Sequence, residues 1–199
     1  GLLDDVAEML ARAQEELGAL DSVAGDGDHG IGMANGSRAA AGAAHAAVSA
    51  GGGLRTTLTA AGDAWSNRAG GTSGALWGAL LTALGSALGD EKTPGSDDLA
   101  AALQAALSAV QRLGGAEVGD KTLVDALSPF VAAFVATNGD LAAKSAAAVV
   151  AAEAGTESTR ALVARLGRAR PLGEKSVGTP DPGAVSLTKV VTLLNSRLG

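Results

Sequence analysis

Leu20-Asp21-Ser22-Val23-Ala24-Gly25-Asp26-Gly27-Asp28-His29-Gly30 carries three carboxylates within eight residues, interrupted by glycines. Like charges this close repel, and they are favourable together only when solvated or when a cation sits among them. Glycines at 25, 27 and 30 let the backbone turn sharply enough for Asp21, Asp26 and Asp28 to converge. An all-oxygen donor set suits a hard ion, Mg²⁺ or Ca²⁺. After Asp28 the next acid is Asp63, so this charge is concentrated rather than sprinkled. The competing reading is a solvated acidic turn that caps a helix starting near Ile31. Two general motifs fail on the same stretch. Counted from Asp26, an EF-hand loop needs Asp or Asn where Gly30 stands and a carboxylate where Ser37 stands. Gly25-x-Gly27-x-x-Gly30 matches the dinucleotide fingerprint, yet no strand precedes it and Asp26 and Asp28 repel a bare pyrophosphate. A metal ion removes that repulsion, because carboxylates holding Mg²⁺ let an acidic loop bind phosphates.

A second candidate is Gly70-Gly71-Thr72-Ser73-Gly74, which directly precedes an apolar helical run. Its free backbone N–H groups and the hydroxyls of Thr72 and Ser73 form a phosphate cradle or, equally, an ordinary helix start with a small-residue contact. Gly114-x-x-x-x-Gly119-Asp120-Lys121-Thr122 misses the P-loop pattern by the inserted Asp120 and by the missing strand. Gly167 to Gly183 is basic and turn-rich, able to close over a ligand or merely to decorate the surface. His29 and His45 are the only imidazoles, which excludes a metal site built from several histidines, and His45 in its Ala-rich helix reads as structural. No Gly-x-Ser-x-Gly nucleophile elbow is present.

The elements that must position these groups are helices. Leu2, Leu3, Val6, Met9, Leu10, Ala13 and Leu17 recur at helical spacing, and comparable patterns follow at about 31–49, 54–68, 72–88, 97–113, 121–136, 139–153, 157–167 and 184–198. Glycine-rich punctuation falls between them at 51–53, 89–95, 114–115, 138–140 and 155–156. No convincing strand is found, so the fold class is all-α, read as one domain over 1–199. Of the 199 residues 47% are hydrophobic and only 2% aromatic, so the core must be close-packed from small side chains. A net charge of −6 offers no basic footprint for nucleic acid or anionic lipid, and the absence of cysteine excludes disulfides, zinc knuckles and thiol nucleophiles. The uncharged stretch between Arg68 and Asp90 is too rich in glycine, serine and threonine for a lipid-facing helix. Asp4, Asp5 and Glu8 stand where a secretory signal needs a basic start, so the expected compartment is the cytoplasm.

Read in order, the aspartate loop, Gly70–Gly74, Gly119-Asp120-Lys121-Thr122 with Asp125, and Gly167-Arg168-Ala169 with Leu172-Gly173-Glu174-Lys175-Ser176 and Asp181-Pro182-Gly183 resemble the nucleotide-binding L subunit of dihydroxyacetone kinases, the DhaL family. Four motifs in register are specific where any one is weak. Fatty-acid kinase domains look less similar, since threonine is usual there in place of His29. The resemblance implies a barrel of about eight antiparallel helices with the nucleotide at one end. It also implies that Asp21, Asp26 and Asp28 hold two Mg²⁺ ions against the phosphates of ADP or ATP. His29, Gly30, Ile31 and Gly32 would continue the nucleotide contact, Thr72 and Ser73 would hold phosphate, and Gly114 and Leu123 would line the adenine pocket. Arg168, Asp181, Pro182 and Gly183 would form a lid. Gly32 stands where the family often has asparagine, and Leu123 replaces a common methionine, a tolerable swap.

The implied activity is phosphoryl transfer, a kinase reaction in which this chain is half of the enzyme. A separate K subunit binds dihydroxyacetone covalently through a histidine. In phosphotransferase-system versions bound ADP is rephosphorylated in place by a phosphohistidine-carrying M subunit fed from phosphoenolpyruvate. That phosphotransferase-dependent subunit is the favoured reading. The alternatives are an ATP-exchanging kinase partner for another ketose such as a tetrulose, and a nucleotide-loaded regulator acting through a transcriptional activator. The ketose itself is not legible, because its pocket would lie on another chain.

Overall fold

A computed structural model describes residues 1–198. Among them there is no strand, and the helices are α1 (Leu2–Arg12), α2 (Gln14–Asp21), α3 (His29–Ser49), α4 (Leu54–Ala69), α5 (Gly71–Leu88), α6 (Ser96–Gly114), α7 (Val124–Ala136), α8 (Leu141–Ser158) and α9 (Pro182–Asn195). Two short 3₁₀ segments, Thr159–Ala161 and Arg170–Ser176, lie between α8 and α9. The all-α expectation holds. Two compact units divide the chain: Gly1–Ala11 with Ile31–Gly115, and Arg12–Gly30 with Ala116 onward.

In the first unit α4 and α5 pack closely because their facing residues are small. A Cβ on Gly62 would lie 2.7 Å from the Gly78 carbonyl, and one on Gly78 would lie 2.8 Å from the Gly62 carbonyl. That approach brings Trp65 and Trp77 into a parallel stack with ring centroids 4.8 Å apart. The same unit buries Val6 and Leu10 of α1, and Ala102, Ala106 and Val110 of α6 at the helical spacing seen in the sequence.

The second unit is built on α7, α8 and α9, with α2 against α9. Ala126, Ala148, Ala152 and Ala184 are fully buried there, the small-residue core that the composition demands. Gly155 fits where a Cβ would overlap the Asp125 carbonyl, so α8 can lie directly on α7. Thr156 donates or accepts across to Thr188 at 2.7 Å, and Lys189 of α9 pairs with Glu16 of α2 at 2.9 Å.

Several expected boundaries move. The opening helix is two helices, broken at Ala13 (φ −83°, ψ 0°). Gly155-Thr156 is not a connector but lies inside α8, where tertiary contact requires its lack of a side chain. No helix spans 157–167: α8 ends at Ser158, and after one 3₁₀ turn the chain extends at Leu162 (φ −89°, ψ 151°). Helix α7 begins at Val124 rather than 121, because Lys121 takes a left-handed backbone conformation, φ 61°. Among the described residues no helix is long and apolar enough to cross a membrane.

Candidate functional site

The aspartate loop is shorter than its glycine content suggests, since α2 runs to Asp21 and α3 starts at His29. The turn is set by local bonds: the Gly25 N–H donates to the Asp21 carbonyl at 2.6 Å, and Ser22 Oγ donates to the Gly18 carbonyl at 2.8 Å. Gly25 is required because a Cβ would overlap the Asp21 carboxylate, and Gly30 because a Cβ would overlap the Gln14 carbonyl of α2. The result is convergence. Asp21, Asp26 and Asp28 each offer a carboxylate oxygen within 4.8 Å of the others.

These oxygens are little used by the protein itself. Asp21 accepts one long bond from the His29 N–H at 3.4 Å. Asp26 and Asp28 are exposed and both pair with the guanidinium of Arg168, whose Nη1 lies 3.0 Å from Asp28 Oδ2. An arginine paired with two of the three acids shows that the cluster accepts positive charge, and its all-oxygen donors fit a hard divalent cation. Arg168 reaches Asp28 from 140 positions along the chain.

Behind the loop the side chains turn inward. His29 is buried, with Nε2 3.1 Å from Ser186 Oγ on α9, and burial holds its pKa below the ordinary histidine value despite the pull of Asp21. Asp181 caps α9 by accepting the Ala184 N–H at 2.8 Å, with Pro182 in the first helical turn. Burial pushes the Asp181 carboxyl up to about 7, with Asp125 adding repulsion, while the Ala184 N–H and Lys121 act the other way. Asp21, Gly25, Lys121, Asp181 and Pro182 all line one cavity in this unit. Leu123 is buried at the start of α7, close enough that a Cβ on Gly183 would lie 3.4 Å from its own.

The second unit thus gathers Asp21, Asp26, Asp28, His29, Gly30, Leu123, Arg168, Asp181, Pro182 and Gly183. Ile31, Gly32, Thr72, Ser73 and Gly114 belong to the first unit. There Gly32 backs onto the Ala69 carbonyl, 3.3 Å from where its Cβ would be, just before the Gly70-Gly71 turn whose φ values are both positive. Helix α5 starts at that turn without a side-chain cap, Thr72 is exposed, and Gly114 ends α6 against Leu76.

Residue type and spacing alone assign no role to Lys121 or Asp125. Asp125, 3% exposed, accepts the N–H groups of Gly119 at 2.6 Å and Thr122 at 2.7 Å, and Lys121 Nζ donates to three backbone carbonyls. A Gly-Asp-Lys-Thr run that fits no phosphate loop is the one signal in the sequence, and spacing does not decode it.

A family model described as the DAK2 domain matches residues 23–196. The D-erythrulose kinase of Mycolicibacterium smegmatis is 54% identical over 187 residues, covering 92% of this chain and 32% of that protein. The ADP-binding subunit DhaL of a PEP-dependent dihydroxyacetone kinase from Listeria innocua is 33% identical over 199 residues, 99% of this chain and 92% of that subunit. Among solved structures, the dihydroxyacetone kinase from C. freundii in complex with AMP-PNP and Mg²⁺ superposes with a TM-score of 0.77 at 30% identity, over 99% of this chain and 33% of that one. The chain spans about a third of the length of the erythrulose kinases it matches. With the helical fold, the aspartate loop and a family match over nearly its whole length, this chain belongs to the DAK2 domain family.

Proposed function

We propose that this chain is the nucleotide-binding part of a small-ketose kinase, reading 1–199 as one DhaL-type domain, and that Asp21, Asp26 and Asp28 hold Mg²⁺ on the phosphates of ADP or ATP. The observation that carries the proposal is the convergence of three carboxylate oxygens within 4.8 Å, with few internal bonds of their own. Phosphoryl transfer asks a protein mainly for position and charge neutralisation. Bound Mg²⁺ supplies charge neutralisation on the phosphate oxygens. The chain's own residues do the rest: Asp21, Asp26 and Asp28 supply oxygens, the Gly70–Ser73 turn supplies backbone and hydroxyl donors, and Arg168 supplies a guanidinium for developing negative charge. Gly30, Ile31 and Gly32 continue the phosphate contact through backbone, as the buried ring of His29 faces Ser186. Gly114 and Leu123 border the base, and Asp181, Pro182 and Gly183 frame the lid. The acceptor ketose is held on a K-type part of the enzyme outside this chain.

Identity of 54% to a D-erythrulose kinase, against 33% to the PEP-dependent subunit, supports a tetrulose acceptor, for which exchangeable ATP is the donor we propose. The second reading, an ADP-retaining subunit rephosphorylated by an M-type carrier, draws on the likeness to the Listeria relative, named as the ADP-binding subunit of a PEP-dependent kinase. Calorimetric titration tests the core of the proposal. MgADP binds the unaltered chain, chelation of Mg²⁺ abolishes binding, and Asp26→Asn and Asp28→Asn each weaken it at least about tenfold. Unchanged affinity in both variants removes the metal-site reading. Dialysis separates the two donors: ADP that survives it supports the carrier-fed enzyme, and ADP that washes out supports the ATP-exchanging one.

A further inference from the structure

The Gly119–Asp125 turn belongs to neither the aspartate loop nor the Gly70–Ser73 turn, and it is held with unusual firmness. Lys121 is the one non-glycine among the described residues with positive φ, a conformation that a long side chain adopts only when its surroundings impose it. They do so from both sides. Asp125 takes the N–H groups of Gly119 and Thr122, Asp120 Oδ2 takes that of Glu117 at 2.9 Å, and Thr122 Oγ1 takes that of Val124 at 3.1 Å.

What the turn presents is one buried ammonium. Lys121 Nζ donates to the carbonyls of Ser176 at 2.6 Å, Thr179 at 2.7 Å and Leu162 at 3.1 Å. An ammonium has three N–H donors, and here each has a carbonyl. Leu162 lies at the start of the segment that joins α8 to α9, and Ser176 and Thr179 lie at its end, so one cation closes the neck of a long loop. The Asp120 carbonyl adds a bond from the Arg165 N–H at 3.3 Å. Inside the neck Ser176 Oγ donates to the Gly173 carbonyl at 2.6 Å and accepts the Ala164 N–H at 3.1 Å. Arg168 stands on this loop with its side chain 60% exposed, so its place beside Asp26 and Asp28 depends on the loop rather than on packing of its own.

We infer that Lys121 is a positioning residue: it clips the 162–179 loop at its neck and thereby sets Arg168 against the nucleotide site. The inference rests on the Mg²⁺-nucleotide reading of Asp21, Asp26 and Asp28. It separates from a general stabilising role by the company it keeps, since a clip that acts only through Arg168 has nothing left to lose once that arginine is gone.

The experiment is a double-mutant cycle on the rate at which a fluorescent ADP analogue leaves the full chain in the presence of Mg²⁺. Arg168→Ala and Lys121→Met each speed release about tenfold, and the double variant releases about as fast as either single one. Lys121→Arg, which keeps donors and charge, recovers part of the slow release. Independent effects that multiply to about a hundredfold overturn the inference, as does unaltered release from Lys121→Met. Should Lys121→Met fail to fold, Lys121→Arg carries the cycle, and amide exchange in the unaltered chain is a second, independent measurement. The N–H groups of Ala164 and Gly178 open together, more slowly than exposed loop amides; unprotected amides there overturn the clip. An unaltered chain that binds no analogue with Mg²⁺ fails the site reading, a result distinct from a chain that binds but shows a multiplicative cycle.

Discussion

Two aspartate-bearing turns in the same unit treat their carboxylates in opposite ways. In the 119–125 turn Asp125 is 3% exposed and both of its oxygens are filled by backbone N–H groups, while Lys121 spends every donor on carbonyls. In the 21–28 turn Asp26 and Asp28 are 45% and 63% exposed, and the side chain that meets them is a single guanidinium. An acid whose lone pairs are taken by its own backbone is a folding device. Acids brought together with their oxygens left over raise the energy of the fold and persist where a cation offsets that repulsion. The same residue type at similar glycine-rich spacing therefore does structural work in one place and is left with oxygens to spare in the other, and the hydrogen bonds tell them apart.

The strongest way to break this contrast is Asp125→Ala. Removing that carboxylate strands two partly buried N–H groups that made charge-assisted bonds, and the expected loss is about 2 to 3 kcal/mol of unfolding free energy. Urea denaturation at fixed pH reads it, and a loss under about 1 kcal/mol would mean that the turn is not held as described. Asp26→Asn and Asp28→Asn are the mirror experiment. In chelator-treated protein each leaves stability within about 0.5 kcal/mol of the unaltered chain, since the removed ion pairs are exposed. A loss comparable to that of Asp125→Ala would turn the 21–28 acids into structural ones. Of similar size is the effect of Arg168→Ala on bare Mn²⁺ binding without nucleotide. Removing the resident cation strengthens ion binding about two- to threefold, the scale of an exposed ion pair, and weaker binding would show that the arginine helps to assemble the carboxylates. Manganese titration by electron paramagnetic resonance reads that change.

Much of this was legible in the sequence, for reasons that differ by element. Helices α4, α5 and α6 fall within two residues of their expected spans because apolar spacing and glycine punctuation agree there. The break at Ala13 has no marker, alanine being the best helix former. The 157–167 helix fails for a tertiary reason: the carbonyl of Leu162, which would accept the next helical N–H, is taken by Lys121 from a distant turn. Gly155 misled for the complementary reason, its missing side chain serving a helix–helix contact rather than a turn. In the site, the convergence of Asp21, Asp26 and Asp28 follows from local spacing and was readable. That Arg168 stands beside them, and that His29 turns its ring to Ser186, depends on contacts with α9 and its preceding loop, which no local pattern encodes.

A third acid lies between the two behaviours. Asp181 accepts the backbone N–H groups of Ala184 and Gly183, and burial first, then Asp125, raises its carboxyl to about 7 against those bonds and the pull of Lys121. From its ordinary value near 3.8 up to about 7, the folded chain therefore holds a proton that the unfolded chain has released, so stability falls as pH rises through that window and levels off above it. His29 works in the other direction. Its folded pKa lies below 6.5 because the ring is buried, so the unfolded chain takes up a proton first as pH falls, and stability is lost toward acid. The two slopes oppose each other, and the unaltered chain is flatter between about pH 5 and 7 than either group alone would make it. Asp181→Asn keeps an effective helix cap and removes one titration, so its stability should climb with pH across that window where the unaltered chain's does not. Unfolding free energies at pH 5, 6 and 7 compare the two curves. Parallel curves would mean that the Asp181 carboxyl does not titrate in that window, and would overturn its raised pKa.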